Sequence, residues 1–232
     1  PVIINVHGGG LIIGNKEFNR YFCALLCKKG FLVYSIEYRL IPDCLIYDQI
    51  ADVFIAMDYI KERLAADGGD SSHVYMAGDS GGACLITYAN AIQNNTNIAR
   101  AANVTPSGLR INALGLISGM FYTSRFDKIG LFLPKYLYGR DYKKTPFAKY
   151  VNPENRELLN SLAPVWLVTS HNDFLRRYTT DFEKALTRAE REHELVVFPK
   201  NKKLTHAFSV FEPFLPESSA VIDMMVEYLR KF

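Results

Sequence analysis

The stretch Val74-Tyr75-Met76-Ala77-Gly78-Asp79-Ser80-Gly81-Gly82-Ala83 constrains this chain more than any other. An apolar run leads to a serine set between glycines, and a helical pattern, Cys84 to Gln93, follows at once. Gly78, Ser80 and Gly82 meet the pattern Gly-x-Ser-x-Gly. A strand that turns into a helix through a single serine strains that residue and lifts its hydroxyl above the sheet. Flanking glycines, lacking a Cβ, let strand and helix approach. The helix then aims free N–H groups at the same spot. A glycine-rich strand-to-helix turn also occurs without catalysis in α/β proteins, so the remaining chain must decide.

Read in order, strands alternate with helices. Val2–Val6 is a β-branched run that ends in His7-Gly8-Gly9-Gly10, whose backbone N–H groups can face a ligand unobstructed; a flexible loop is the plainer reading. A helix over Glu17–Lys29, with Phe18, Tyr21, Phe22, Leu25 and Leu26 on one face, closes at Gly30. Phe31–Ile36 is a second strand, Glu37–Pro42 a loop, and Tyr47–Ala66 a long helix stopped at Gly68-Gly69. Asn94–Ser107 reads as an exposed polar loop and Ala113–Ile117 as a strand. Leu162–Thr169 is a strand ending at Ser170-His171-Asn172-Asp173. A helix over Tyr178–Arg191, a strand over Leu195–Phe198, the loop Lys200–Thr205 before His206, and a helix over Ser218–Lys231 complete the chain.

This alternation predicts a mostly parallel sheet with helices on both faces. Chemistry in such sheets sits beyond the carboxyl ends of the strands. Gly8, Gly9, Gly10, Ser80, Asp173 and His206 all fall there. The 232 residues suit one domain over 1–232. The segment 120–151, rich in aromatic and basic residues, reads either as a partial cap beside the site or as an ordinary crossover with a solvated basic face.

A net charge of +3 is too small to argue for nucleic acid or an anionic membrane surface. No apolar run reaches the length of a membrane span, and no signal peptide is visible. Cys23, Cys27, Cys44 and Cys84 lack metal-ligand spacing and read as buried free thiols of a reducing compartment, which points to the cytoplasm. No metal or other cofactor is expected, and a homodimer is left open.

Four motifs spread over nearly the whole chain resemble the α/β-hydrolases, and among them the hormone-sensitive-lipase-like carboxylesterases. His7-Gly8-Gly9-Gly10 is similar to that family's oxyanion loop. Tyr38-Arg39-Leu40-Ile41-Pro42, with Asp52 beyond it, is similar to its Tyr-Arg-Leu-Ala-Pro segment and the acidic pair that follows. Gly78-Asp79-Ser80-Gly81-Gly82 resembles its nucleophile elbow, and Asp173-Phe174-Leu175 and His206-Ala207-Phe208 stand where it has Asp-Pro-Leu and His-Gly-Phe. Phe174 departs from its proline, Ala207 from its glycine, and Leu45 and Tyr47 from prolines; none removes a catalytic atom.

The resemblance implies an α/β-hydrolase fold with a partial cap, the family's N-terminal cap segment not being found ahead of Pro1. It also implies hydrolysis of small short-chain acyl esters through an acyl-enzyme. Ser80 would be the nucleophile, His206 the base that takes its proton, Asp173 the carboxylate that holds the imidazole, and the N–H groups of Gly8, Gly9 and Gly81 the oxyanion donors. Asp79, beside Ser80, is the rival acid and reads as structural, and His7 as a brace for the glycine loop. Three alternatives stand beside this. Gly-Asp-Ser-Gly-Gly also surrounds the serine of trypsin-like proteases, but those are all-β with histidine and aspartate ahead of the serine. A non-catalytic binding protein, as in the plant gibberellin receptors, lacks the triad histidine that His206 supplies here. An amidase or peptidase with the same triad stays open.

Overall fold

The four inner strands are too apolar to face water on either side. In the computed structural model, which describes all of residues 1–232, β1 (Val2–Val6), β3 (Val74–Asp79), β4 (Ala113–Ile117) and β5 (Val165–Ser170) are buried at every position. Such strands need helices on both faces. β2 (Leu32–Ile36) and β6 (His193–Phe198) are only partly covered, and they form the two edges of a six-stranded, all-parallel sheet of order β2-β1-β3-β4-β5-β6.

The helices are α1 (Arg20–Lys28), α2 (Ile46–Arg63), α3 (Ser80–Gln93), α4 (Thr96–Ala102), α5 (Lys128–Tyr138), α6 (Arg156–Asn160), α7 (Arg176–Arg188), α8 (Phe208–Phe211) and α9 (Pro216–Leu229). Alternate strand residues feed two cores. Ile4, Met76, Leu114 and Leu167 join α2, α3 and α7 on one face, whereas Ile3, Tyr75, Trp166 and Val168 join α1 and α9 on the other. No helix is long and apolar enough to cross a membrane.

Strand order reverses at β1, where the chain steps to β2 and then returns to pair β3 on the other side. Loops leaving the carboxyl ends of β1 and β3 therefore part around a crevice, the usual ligand position in an open parallel sheet. Register brings those ends level: Val6 pairs with Ile36 and Gly78, Asp79 with Ile117, and Ile117 with Val168.

Several expectations need correction. Asn94–Ser107 is not simply an exposed loop, because it contains α4. Asn95 caps that helix by accepting the N–H groups of Asn97 and Ile98, and Ile98, Ala99 and Ala102 are buried. α1 starts at Arg20, and Tyr21 stands half-exposed outside its buried face of Phe22, Cys23 and Leu26. β5 begins only at Val165, after Pro164, a residue with no N–H for the ladder. All four cysteines are free, but Cys27 is exposed. In the segment 120–151, Met120, Phe121 and Tyr122 are buried while Phe126, Leu131 and Phe132 face outward.

Candidate active site

β3 passes into α3 with no intervening loop, and Ser80 takes the bend with φ +50°. A non-glycine residue in this left-handed region costs about 1–3 kcal/mol and persists only where its surroundings enforce it. They do so here. Met120 donates its N–H to the Ser80 carbonyl at 3.0 Å. Gly82 packs so closely on β1 that a Cβ there would fall on the carbonyls of Val6 and His7.

The loop after β1 is braced from several directions. His7 is fully buried, stacked on Tyr38 at 4.3 Å, with Nε2 3.3 Å from Glu37 Oε1, and the Tyr38 hydroxyl donates to the His7 carbonyl at 2.8 Å. Gln49, buried on α2, donates Nε2 to the carbonyls of Leu11 (3.0 Å) and Arg39 (2.7 Å), tying this loop to the Tyr38–Pro42 segment. That segment is tied to α2 again where Arg39 grips both oxygens of Asp52. The Gly8 N–H, expected to be an oxyanion donor, is instead donated to Asp79 Oδ1 at 3.0 Å. The N–H groups of Gly9 and Gly10 make no hydrogen bond within the protein. Gly81, in the first turn of α3, packs against Gly10 and the Leu11 nitrogen.

Asp173 and His206 come together across the sheet ends. His206 Nδ1 lies 2.8 Å from Asp173 Oδ1, which also accepts the Leu175 N–H at 2.8 Å; Oδ2 accepts the Thr169 hydroxyl at 2.8 Å. The Asp173 side chain is wholly buried. Burial pushes its carboxyl up, but the hydrogen bond and charge of His206, helped by Ser118 and the Leu175 N–H, outweigh burial and hold it below its ordinary value. The loop bearing His206 is fixed at both sides. Ser170 donates its hydroxyl to the Leu204 carbonyl, and Ala207, at φ +49° where the family motif has glycine, donates its N–H to Ser118 Oγ at 3.1 Å. Phe174 lies over His206 with ring centroids 4.4 Å apart.

Asp79 does not touch His206 through any hydrogen bond. It is fully buried, and its Oδ1 accepts from Gly8 and, at 2.8 Å, from Asn19 Nδ2. Burial raises its carboxyl above the ordinary value against the opposing pull of Asn19, His206 and Gly8. His73 pairs with Asp70 at the surface, and His171 and His193 lie outside these contacts.

Sequence reasoning missed Asn19, Gln49, Ser118 and Thr169. Gln49 had a signal: it is a polar residue inside the apolar stripe of Ile46, Ile50 and Val53. Ser118 had a weaker one, as the first polar residue past a buried strand.

The chain matches the α/β-hydrolase fold family over residues 3–209. It is similar to a probable isoprenylcysteine alpha-carbonyl methylesterase of Oryza sativa subsp. japonica, with 28% identity over 170 residues, covering 68% of this chain and 41% of that relative. The chain thus spans less than half the length of this curated relative. It is also similar to Lipase 2 of a Moraxella species, at 32% identity over 80 residues, 34% of this chain and 18% of that one. Among solved structures, esterase B of Lactobacillus rhamnosis superposes with a TM-score of 0.92 at 23% identity, covering 100% of this chain and 75% of that one. With a match over most of its length and the all-parallel sheet on which the Ser80 elbow stands, this chain belongs to the α/β-hydrolase fold family.

Proposed function

We propose that the chain is a serine carboxylesterase acting on small esters with short acyl groups. The observation that carries this is the 2.8 Å contact between His206 Nδ1 and the buried Asp173 carboxylate, set at the same end of the sheet as the strained Ser80 elbow. A serine hydroxyl is a poor nucleophile until a base removes its proton. With Nδ1 committed to Asp173, His206 has only Nε2 to offer, and that nitrogen takes the Ser80 proton as Oγ attacks the ester carbonyl. The same proton passes to the alcohol oxygen as the C–O bond breaks, leaving Ser80 acylated. Water, deprotonated by His206, then releases the acid and restores the serine.

The oxyanion is assigned to the N–H groups of Gly9, Gly10 and Gly81. This moves the expected set one residue along the glycine loop, since the Gly8 N–H is bonded to Asp79. The segment 120–151 serves as a partial cap within a single domain. Its outward-facing Phe126, Leu131 and Phe132 support a short acyl preference, because they do not enclose a long chain.

The test is hydrolysis of p-nitrophenyl butyrate by the wild type and by Ser80→Ala. Turnover by the wild type, with at least a thousandfold loss in the variant, is expected. An inert wild type, or an active variant, overturns the reading.

A further inference from the structure

We infer that Phe174 forms the alcohol-side subsite of this ester hydrolase and selects esters whose leaving group is aromatic or bulky and apolar. The inference rests on the proposed roles of Ser80 and His206. Phe174 is 73% exposed, although it immediately follows the buried Asp173. An isolated exposed phenyl is unremarkable, but this one is held in place. The Leu175 N–H binds Asp173 Oδ1 and the Arg176 N–H binds the Asp173 carbonyl at 3.1 Å, so the backbone that follows Phe174 is pinned by the residue that also holds His206. The ring lies 4.4 Å from the imidazole, tilted by 42°.

Chemistry separates the two halves of the substrate around these groups. The acyl half is fixed by Ser80 Oγ and the oxyanion donors. The alcohol half leaves on the side of the one imidazole nitrogen left free by Asp173, which protonates an alkoxide as it departs, whereas an aryloxide can leave from the same position without that proton. A group attached to that oxygen therefore lies beside His206, within reach of the exposed Phe174 ring stationed against the same imidazole. Aromatic rings gain from tilted or stacked contact in such positions, and a methyl or ethyl group covers little of the face.

The experiment compares Phe174→Ala and Phe174→Leu with the wild type on acetate esters of 2-naphthol, benzyl alcohol, ethanol and methanol. The ratio of variant to wild-type kcat/KM is taken for each ester, so that the intrinsic reactivity of the leaving group cancels. Phe174→Ala is expected to lose about tenfold more on 2-naphthyl and benzyl acetate than on methyl acetate, the scale of one apolar contact. Phe174→Leu should fall between, and p-nitrophenyl acetate and butyrate should give equal ratios, since their alcohol halves are the same. An equal loss on all four acetates, or a shifted pH profile of kcat/KM, would show that Phe174 only supports His206 and would overturn the subsite. A wild type inert on every ester sinks the esterase reading itself, a failure seen before any variant is measured.

Discussion

The Gly8 N–H and Asp79 Oδ1 are joined at 3.0 Å, and this bond separates the roles of two buried aspartates. Asp79 holds the glycine loop against the Ser80 turn, whereas Asp173 holds His206. Asp173→Asn should lower kcat by about 10⁴ with little change in KM, the cost of holding the imidazole in the wrong tautomer in a serine protease. Asp79→Ala leaves the buried Gly8 N–H without an acceptor and the Asn19 amide with only Asn5 Oδ1, and should cost about 1–3 kcal/mol of stability. Steady-state kinetics and urea unfolding on both variants check the division; reversed losses would assign the acid to Asp79.

Gln49 should matter without touching substrate. Its amide serves two backbone carbonyls, one on the glycine loop and one on the segment after β2. Gln49→Leu keeps the bulk but removes the donor to the Arg39 carbonyl and leaves the Leu11 carbonyl with only the Ile41 N–H, and about 1–3 kcal/mol of stability should be lost. Where this loosens Leu11, kcat should fall more than KM rises, because the proposed oxyanion donors beside it act in the transition state. Unchanged urea unfolding would show that the bond is dispensable.

The two aspartates should give stability opposite pH dependences. Asp173 lies below its unfolded value of about 3.9, so the stability it contributes is present above about pH 4 and is lost as pH falls through the folded value. Asp79 lies above its unfolded value, so its contribution is full at pH below about 3.9 and is lost as pH rises through its folded value. Relative to the wild type, Asp173→Asn should therefore be most destabilised near neutrality and recover on acidification. Asp79→Asn should fare worse in acid than at neutral pH. Urea midpoints between pH 3 and pH 7 test both signs.

Acyl length supplies an independent check. Each buried methylene contributes roughly 0.8 kcal/mol, but only where apolar surface encloses it. With Phe126, Leu131 and Phe132 turned outward, that gain should end after a few carbons. kcat/KM for p-nitrophenyl esters should peak between acetyl and hexanoyl, measured below the micellar concentration. A dodecanoyl ester preferred over the butanoyl ester would contradict this.

The parallel sheet was legible in the sequence because β1, β3, β4 and β5 are apolar runs separated by helical periods. The elbow at Ser80 was legible because its glycines meet a steric need that spacing reveals. What could not be read was pairing between distant polar atoms. Gly8 carries the motif of an oxyanion donor, yet its N–H is taken by a side chain 71 residues away. Asn19 and Ser118 likewise gain their roles only when the fold brings them to Asp79 and Ala207. α4 was missed because its seven residues carry one large apolar side chain, Ile98, beside small alanines, too little to stand out as periodic in a polar stretch. The capping side chain of Asn95 was the available clue.

The central claim is that Ser80 is the nucleophile activated by His206, and active-site labelling tests it most directly. The protein is incubated with a small alkyl fluorophosphonate, and the modified peptide is mapped by mass spectrometry in the wild type, Ser80→Ala and His206→Ala. One adduct per chain is expected on Ser80, none in Ser80→Ala, and labelling slowed by at least about a thousandfold in His206→Ala. An adduct on another serine, or wild-type labelling rates in His206→Ala, would contradict it.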